Sequence, residues 1–524
     1  MKRYTSMTGV GKPHKSQWVA AIFFVVACAG FALPVIPAAR RTEASPVKGF
    51  FTSGSASGLT PRAQEAGGGS IYTRQPVLLA FFGLDITSPE TPWPSIPFGT
   101  LRMWDDHTPW TLVEGGGRNR YDWRILDGWV ERAQAHHVDV LYTFGDPPRW
   151  AASQPDHRCG ENPRAPFGTC TPPIDLYTTS RCQGPLAGVT TTDCMFKEYI
   201  TALMDHVCSG KAANKNCKIR NYSCWNEPNQ DGFWSGSYAD LAKLCSDFVG
   251  TVKAQCRSCT TIGPEVAAAA DVGTKMNGDS RSASVYFENF LRASAKYSHD
   301  PDAAAFHPYA ARLWGLSRAP FPETFAGSGC RGGGGGPDCP ETLLQKIAGM
   351  RRVMDENNMA AKPLWSTEGS WGVNRQLPDS DAQAAYVSRW LILQASNGVA
   401  RAIWYLYDNG GRPRGTGGLW APDTGLNRAG LAFGQVARWL TGATFSKPCS
   451  GMRNIWSCGI SRPGGYQAEI VWDVSRSYEP AQTRSYRPTG SFTEYRDLAG
   501  KTHAISGGSA PVGSEPILLE NRTH

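Results

Sequence analysis

The sequence predicts a (β/α)8 barrel of the TIM type followed by a small all-β, sandwich-like unit. Three observations predict it. From about residue 77, short apolar runs alternate with amphipathic stretches, the pattern of a parallel sheet with crossover helices. Eight such runs can be counted over roughly 360 residues, which suits a barrel with insertions. From about Thr441 the helical signal disappears and short strands between turns replace it.

The eight strand candidates are Leu78–Asp85, Thr100–Trp104, Val138–Phe144, Ile219–Trp225, Thr260–Pro264, Ala303–His307, Pro363–Thr367 and Ala402–Tyr407. Helical periodicity separates most of them. Asp122 can cap a helix carrying Ile125, Leu126, Trp129, Val130 and Ala133. Further apolar stripes run through Phe196, Tyr199, Ile200, Leu203 and Val207, through Leu241, Leu244, Cys245, Phe248 and Val252, and through Leu343, Leu344, Ile347, Met350 and Met354. Residues 151–194 are rich in Pro, Thr and Cys and read as a disulfide-pinned insertion after the third strand. Residues 314–340 read as a loop, because no Lys-Ser/Thr follows Gly332–Gly336 as a phosphate-binding loop requires. In the C-terminal unit, Gln467–Trp472, Ser491–Tyr495 and Pro516–Leu519 read as strands, with turns at Gly464-Gly465 and Gly507-Gly508. The organisation expected is therefore 1–40 signal peptide or membrane anchor, 41–75 Ser/Gly/Pro-rich linker, 76–440 barrel and 441–524 β-unit.

The N-terminus reads as an export signal. A basic stretch through Lys15 precedes an apolar run from Trp18 to Leu33, broken by Pro34 and Pro37. Ala27-Cys28-Ala29 offers a small-residue cleavage site, and Val25-Val26-Ala27-Cys28 matches a lipoprotein signal weakly. Cleavage, an uncleaved anchor and lipidation all stay open, and each places the body outside the cytoplasm: secreted, periplasmic or anchored to the outer face of the membrane. Six basic residues against Glu43 put five of the eight formal positive charges in residues 1–45. The near-neutral remainder has no electrostatic footprint for nucleic acid. Of 15 Cys, Cys28 lies in the signal, which leaves an even number for disulfides. Cys330/Cys339 and Cys449/Cys458 are short-loop candidates. Cys256-Arg-Ser-Cys259 has no second CxxC beside it, so no zinc site is expected. The 18 Trp can serve a core or stack on sugar rings.

The sharpest local signal is Cys224-Trp225-Asn226-Glu227-Pro228-Asn229 at the end of the fourth strand. The second is Trp365-Ser366-Thr367-Glu368-Gly369 at the end of the seventh. Barrel active sites are built at this end of the strands. Two carboxylates facing one cleft suit glycosidic bond cleavage, which needs one protonated carboxyl and one ionised. A lone Glu at a strand end is more often solvated or salt-bridged; it is the pairing that points to chemistry. No Gly-x-Ser-x-Gly elbow is present.

Trp-Asn-Glu-Pro-Asn at strand four with Thr-Glu-Gly at strand seven resembles clan A of the glycoside hydrolases, and within it family 39 and its bacterial relatives. The resemblance covers residues 77–440. It implies a retaining hydrolase acting on an extracellular or cell-envelope carbohydrate, with Glu227 as acid/base and Glu368 as nucleophile, and needing no metal or organic cofactor. It implies that Asn226 bonds the sugar 2-OH, that Arg102 pairs with the nucleophile, that His307 and Tyr309 position the nucleophile or touch hydroxyls, and that Trp404 floors the −1 sugar. Trp104 and Asp105 are further substrate-binding candidates, and Asp146, Trp150 and Glu265 also stand at or beyond strand ends. Arg102 could instead be a structural ion-pair residue, and His307 or Trp404 core residues. The relatives often carry a histidine near the end of strand three; here Tyr142-Thr143-Phe144-Gly145-Asp146-Pro147-Pro148 stands instead, which leaves the sugar open. A non-catalytic carbohydrate-binding protein on a degenerate barrel, and a transglycosylase, are the competing readings.

Overall fold

A computed structural model describes residues 75–160, 166–267, 275–276, 279–280, 283–309, 339–371, 377, 379–408, 417–452, 454–475 and 482–521. The expected signal, the linker up to residue 74 and Cys330 lie outside the described residues. So do residues 314–338 of the expected loop.

Eight parallel strands close a barrel in strict chain order. They are β1 (Phe82–Asp85), β2 (Thr100–Met103), β3 (Asp139–Thr143), β4 (Asn221–Ser223), β5 (Thr260–Ala267), β6 (Ala303–His307), β7 (Leu364–Ser366) and β8 (Val399–Trp404). The helices around them are α1 (Arg124–Ala135), α2 (Cys194–Val207), α3 (Tyr238–Gln255), α4 (Ala283–Ser294), α5 (Leu343–Glu356), α6 (Ser380–Ser396) and α7 (Arg428–Leu440). All eight strand candidates form, mostly shorter than expected. Three helices carry no expected stripe. In α6, all but the first residues are buried whichever way they face, so no polar stripe marks its period.

The bottom of the barrel is filled by Leu141, Ile262, Ala303, Ala305, Trp365 and Ile403. At Gly83 there is no room for a side chain, since a Cβ would lie 2.5 Å from the Ile403 side chain. Alternation along each strand then decides which residues reach the active end of the barrel and which face the helices.

After α7, the chain forms a six-stranded antiparallel sheet in the order β9-β10-β11-β16-β13-β14. Its strands are β9 (Thr444–Met452), β10 (Ile455–Arg462), β11 (Tyr466–Asp473), β13 (Glu494–Arg496), β14 (Thr502–Ala504) and β16 (Ile517–Glu520). A two-stranded ribbon of β12 (Arg484–Tyr486) and β15 (Ala510–Val512) completes the unit. Ala468, Ile470 and Trp472 belong to the same core as the barrel helices, whereas Val471, Ile517 and Leu519 pack with Ala510 and Val512 of the ribbon. The sheet is thus apolar on both faces, and the β-unit is packed onto the barrel. Gly507 and Gly508 form a two-residue turn between paired Ser506 and Ser509, both with positive φ, a turn of the primed kind that favours Gly.

Six disulfides are described: Cys159–Cys170, Cys182–Cys194, Cys208–Cys217, Cys224–Cys245, Cys256–Cys259 and Cys449–Cys458. They suit an oxidising compartment. The CxxC cysteines are bonded to each other, which removes their thiolates from metal chemistry. Among the described residues, no helix is long and apolar enough to cross a membrane.

Candidate active site

The Trp-Asn-Glu-Pro-Asn segment is held from several sides. Glu227 takes a left-handed φ of +38°, a conformation that costs a non-glycine residue about 1–2 kcal/mol. Its N–H is fixed by the Glu265 carbonyl at 2.9 Å. Asn229 clamps the turn by exchanging two 2.8 Å hydrogen bonds with the Ala267 backbone. Tyr286 donates to the Pro228 carbonyl at 3.1 Å, and the Cys224–Cys245 disulfide ties the segment to α3. Each supports a backbone that points Glu227 into the barrel mouth. Trp225 turns the other way, against Trp234.

Glu368 stands two residues beyond the end of β7. Thr367 N–H bonds the Phe306 carbonyl at 3.1 Å, which keeps this end in register with β6. Gly369 is required next, because a Cβ there would stand 2.8 Å from the Trp390 ring.

The two carboxylates meet. An oxygen of Glu227, an oxygen of Glu368 and a ring nitrogen of His307 all lie within 4.8 Å of one another. His307 Nδ1 is 2.8 Å from Glu227 Oε1 and 3.6 Å from Glu368 Oε2, and its Nε2 is 3.1 Å from Thr367 Oγ1. Tyr309 donates its hydroxyl to Glu368 Oε1. Arg102 is wholly buried and serves four acceptors. Nη1 donates to Glu368 Oε2 (3.0 Å) and Asp85 Oδ2 (3.1 Å); Nη2 donates to Asn226 Oδ1 (2.6 Å) and Glu265 Oε2 (2.6 Å). Because Arg102 occupies the Asn226 oxygen, the amide nitrogen is the end of Asn226 left to donate elsewhere.

Electrostatics follow from this packing. Burial raises Glu368; His307 and Arg102 oppose the rise and Glu227 adds to it. Burial lowers His307, but Glu368, Glu227 and Glu265 outweigh it and bring the imidazole to about 9. Burial raises Glu265, yet Arg102 and His307 overturn that and bring it to about 2. Asp85 is driven well above the carboxylate range, chiefly by burial, against Arg102. Two cations, Arg102 and His307, therefore sit among these acids. The Glu227, His307 and Glu368 atoms are close enough for a cation by distance alone. Their lone pairs, however, already face Arg102, Tyr309, Gln230 and one another, an arrangement that suits a charge-balanced acid/base site better than a metal.

The structure brings Arg102, Asn226, Glu227, His307, Tyr309 and Glu368 together. Trp404 is placed elsewhere, which corrects its expected role as the −1 floor. Ile403 faces the barrel, so Trp404 faces the helices, fully buried against Trp371, Tyr386 and Trp390 with its Nε1 on the Gly417 carbonyl. The next inward position is Tyr405, whose hydroxyl donates to Asp105 Oδ2 at 2.7 Å. Asp105 is exposed at the end of β2, while Trp104 is buried against Gly145 and Phe233. Trp150 is taken up by packing, with its Nε1 on the Glu114 carbonyl. Asp146 is half-buried with φ of +49°. Asp85 and Tyr405 were not expected at the site. Asp85 had a legible signal, an acid closing the first apolar run, as Glu265 closes the fifth.

No family model and no curated protein matches the sequence. Solved structures do. A family 39 glycoside hydrolase from Bacteroides cellulosilyticus aligns over 86% of this chain and 82% of its own, with TM-score 0.55 and 17% identity. A glucosidase from Croceicoccus marinus aligns over 86% and 98%, with TM-score 0.55 and 14% identity. A monomeric beta-xylosidase from Caulobacter crescentus aligns over 87% and 99%, with TM-score 0.53 and 15% identity. The chain shares its (β/α)8-barrel fold with these glycoside hydrolases. In that fold, the ends of β4 and β7 carry Glu227 and Glu368.

Proposed function

We propose that the protein is a retaining glycoside hydrolase that cleaves O-glycosidic bonds of an extracellular or cell-envelope poly- or oligosaccharide. The observation that carries this reading is the meeting of Glu227 and Glu368, with oxygens within 4.8 Å, across the mouth of the barrel. Retaining enzymes hold their carboxyl groups ~5–5.5 Å apart, whereas inverting ones need ~6.5–9.5 Å to admit a water.

The chemistry runs in two steps. Protonated Glu227 gives its proton to the glycosidic oxygen as that oxygen leaves C1. An oxygen of ionised Glu368 attacks C1 and forms a glycosyl ester. Glu227, now ionised, takes a proton from water while the water oxygen attacks C1, and Glu368 departs as carboxylate. In each step, one glutamate loses its negative charge as the other gains it. The net charge around Arg102 and His307 is unchanged, so the buried cations keep their compensation throughout. Asn226 donates its amide to the sugar 2-OH, a bond that tightens in the transition state. Asp105 and Tyr405 border the site and offer a carboxylate and a phenol to further hydroxyls. The export-like N-terminus and the disulfides support action outside the cytoplasm, by a secreted, periplasmic or membrane-anchored protein.

The test is a panel of polysaccharides and aryl glycosides, with products identified by mass spectrometry and their anomeric configuration by proton NMR. The reading expects products of retained configuration from wild type and none from Glu368→Ala. Inverted products would overturn the covalent route. Binding without turnover across the panel would favour a carbohydrate-binding protein, and lengthened products a transglycosylase.

A further inference from the structure

Glu227 leans on His307, Glu368 leans on Arg102 and at 3.6 Å on the same His307, and one further residue joins the two cations. Glu265 stands on β5, where Ala303 of β6 pairs with Ile262 but Ala305 pairs with Glu265. Three steps on β5 therefore match two on β6. The extra residue falls at Gly263-Pro264, where proline has no N–H to give the ladder. Ile262 faces the barrel axis. Strict alternation would turn Glu265 toward the helices; the extra residue turns it inward instead. There its side chain is completely buried. Oε2 accepts from Arg102 Nη2 at 2.6 Å and stands 3.6 Å from His307 Nε2, while Oε1 accepts from Thr143 Oγ1 at 3.1 Å.

Resting on the glycosidase reading, we propose that Glu265 is a positioning residue for both reacting carboxylates, its charge fixing Arg102 against Glu368 and His307 against Glu227. Glu265 touches neither reacting atom. Like Glu368 it faces both cations, but it takes no part in the bond changes. The groups facing His307 are Glu227 from the end of β4, Glu265 from β5, and Thr367 and Glu368 from the end of β7. Of the three acids, Glu227 and Glu368 exchange charge during the reaction, and Glu265 is the constant one. Removing its charge leaves two buried cations facing one net anion in the resting state. A buried imidazolium in that position sheds its proton rather than remain uncompensated. The depressed titration of Glu265 and the raised titration of His307 agree with this arrangement.

The test uses the full chain with 13Cε1-labelled histidine. The His307 signal is identified by its absence in His307→Gln and titrated in wild type, Glu265→Gln and Glu265→Asp. Glu265→Gln keeps one acceptor oxygen for Arg102 and turns its NH2 to Thr143, whose hydroxyl can accept, but has no charge. We expect the His307 midpoint to fall by at least one pH unit in Glu265→Gln and to return to within half a unit of wild type in Glu265→Asp. On whichever glycoside the panel identifies, kcat should fall at least tenfold in Glu265→Gln with KM changed less than threefold, and the alkaline limb should move with the His307 midpoint. A folded Glu265→Gln with an unmoved midpoint overturns the proposal. If Glu265→Gln does not fold, a wild-type midpoint below 7 overturns it and one above 8 supports it. Absence of wild-type turnover would count against the glycosidase reading, whereas an unmoved midpoint counts against Glu265, so the two failures are separable.

Discussion

His307 Nδ1 stands 2.8 Å from Glu227 Oε1 with the ring wholly buried, so the protonation state of one residue sets the hydrogen bond that orients the other. The imidazole carries a proton up to about 9. Its folded value lies above the usual 6.5, so its stabilising contribution is fully present below about 6.5 and is lost as pH rises through about 9. A shift of that size is on the order of 3 kcal/mol. Stability to denaturant should therefore fall between about pH 6.5 and 9, kcat/KM should fall as pH passes about 9, and His307→Gln should remove both limbs. A stability profile flat from pH 7 to 10 would contradict this.

Glu227→Ala should slow turnover of natural sugars by about 10²–10⁴-fold, the usual worth of a general acid. Aryl glycosides with good leaving groups need little protonation, so their first step should be nearly spared. Azide should restore turnover by attacking the glycosyl ester without needing a base, giving a β-glycosyl azide from a β-linked substrate. Equal loss on both substrate types without rescue would remove Glu227 from the acid/base role.

Arg102 should tolerate neither loss nor exchange. It makes four short contacts from a planar fork, which the single ammonium of lysine cannot reproduce. Arg102→Lys should lower kcat at least a hundredfold. Breaking a buried ion cluster in this way should also cost about 3–5 kcal/mol, read by denaturant unfolding. Asp85→Asn should cost less than Glu265→Gln in both measurements. Burial already drives Asp85 toward its neutral form, whereas Glu265 is held ionised.

The sequence made the barrel legible because strands buried on both faces read as short apolar runs. Glu227 and Glu368 were legible because each closes such a run. What it could not show was phase. The family resemblance put Trp404 at the floor, but Ile403 takes the inward position and leaves Tyr405 to follow it. Glu265 was visible as a residue at a strand end, yet its inward turn depends on an extra residue in β5 that is defined only by pairing with β6. The helix α6 was missed for a related reason: burial on all sides erases the stripe by which an amphipathic helix is recognised.

The Cys224–Cys245 disulfide fastens the end of β4 to α3 three residues before Glu227. Closing a loop of this length constrains the unfolded chain by about 3 kcal/mol. Replacing both cysteines with alanine should lower stability by about that amount. Because the left-handed turn at Glu227 is held partly through this tether, kcat should fall more than KM rises. Unchanged kcat in a destabilised variant would show that the Asn229 clamp and the Glu265 carbonyl hold the turn without the disulfide.

The C-terminal unit contributes a polar contact to the barrel's core. Trp472 Nε1 on β11 donates to Glu341 Oε1 at 2.8 Å, and Glu341, just before α5, also pairs with Arg389 of α6. All three side chains are buried. Trp472→Phe keeps most of the apolar surface but removes one donor from a buried carboxylate, so it should cost about 1–3 kcal/mol. Arg389→Met should cost more, about 3–5 kcal/mol, because it removes one partner of a buried ion pair with Glu341. The two losses should fall short of adding in the double variant, since both act on one carboxylate. A chain ending at residue 440 exposes this contact and the apolar face that covered Ala468, Ile470 and Trp472, and should aggregate rather than yield a soluble barrel. Recovery of a monomeric, cooperatively melting 1–440 fragment would show that the β-unit is not needed to complete the barrel's core.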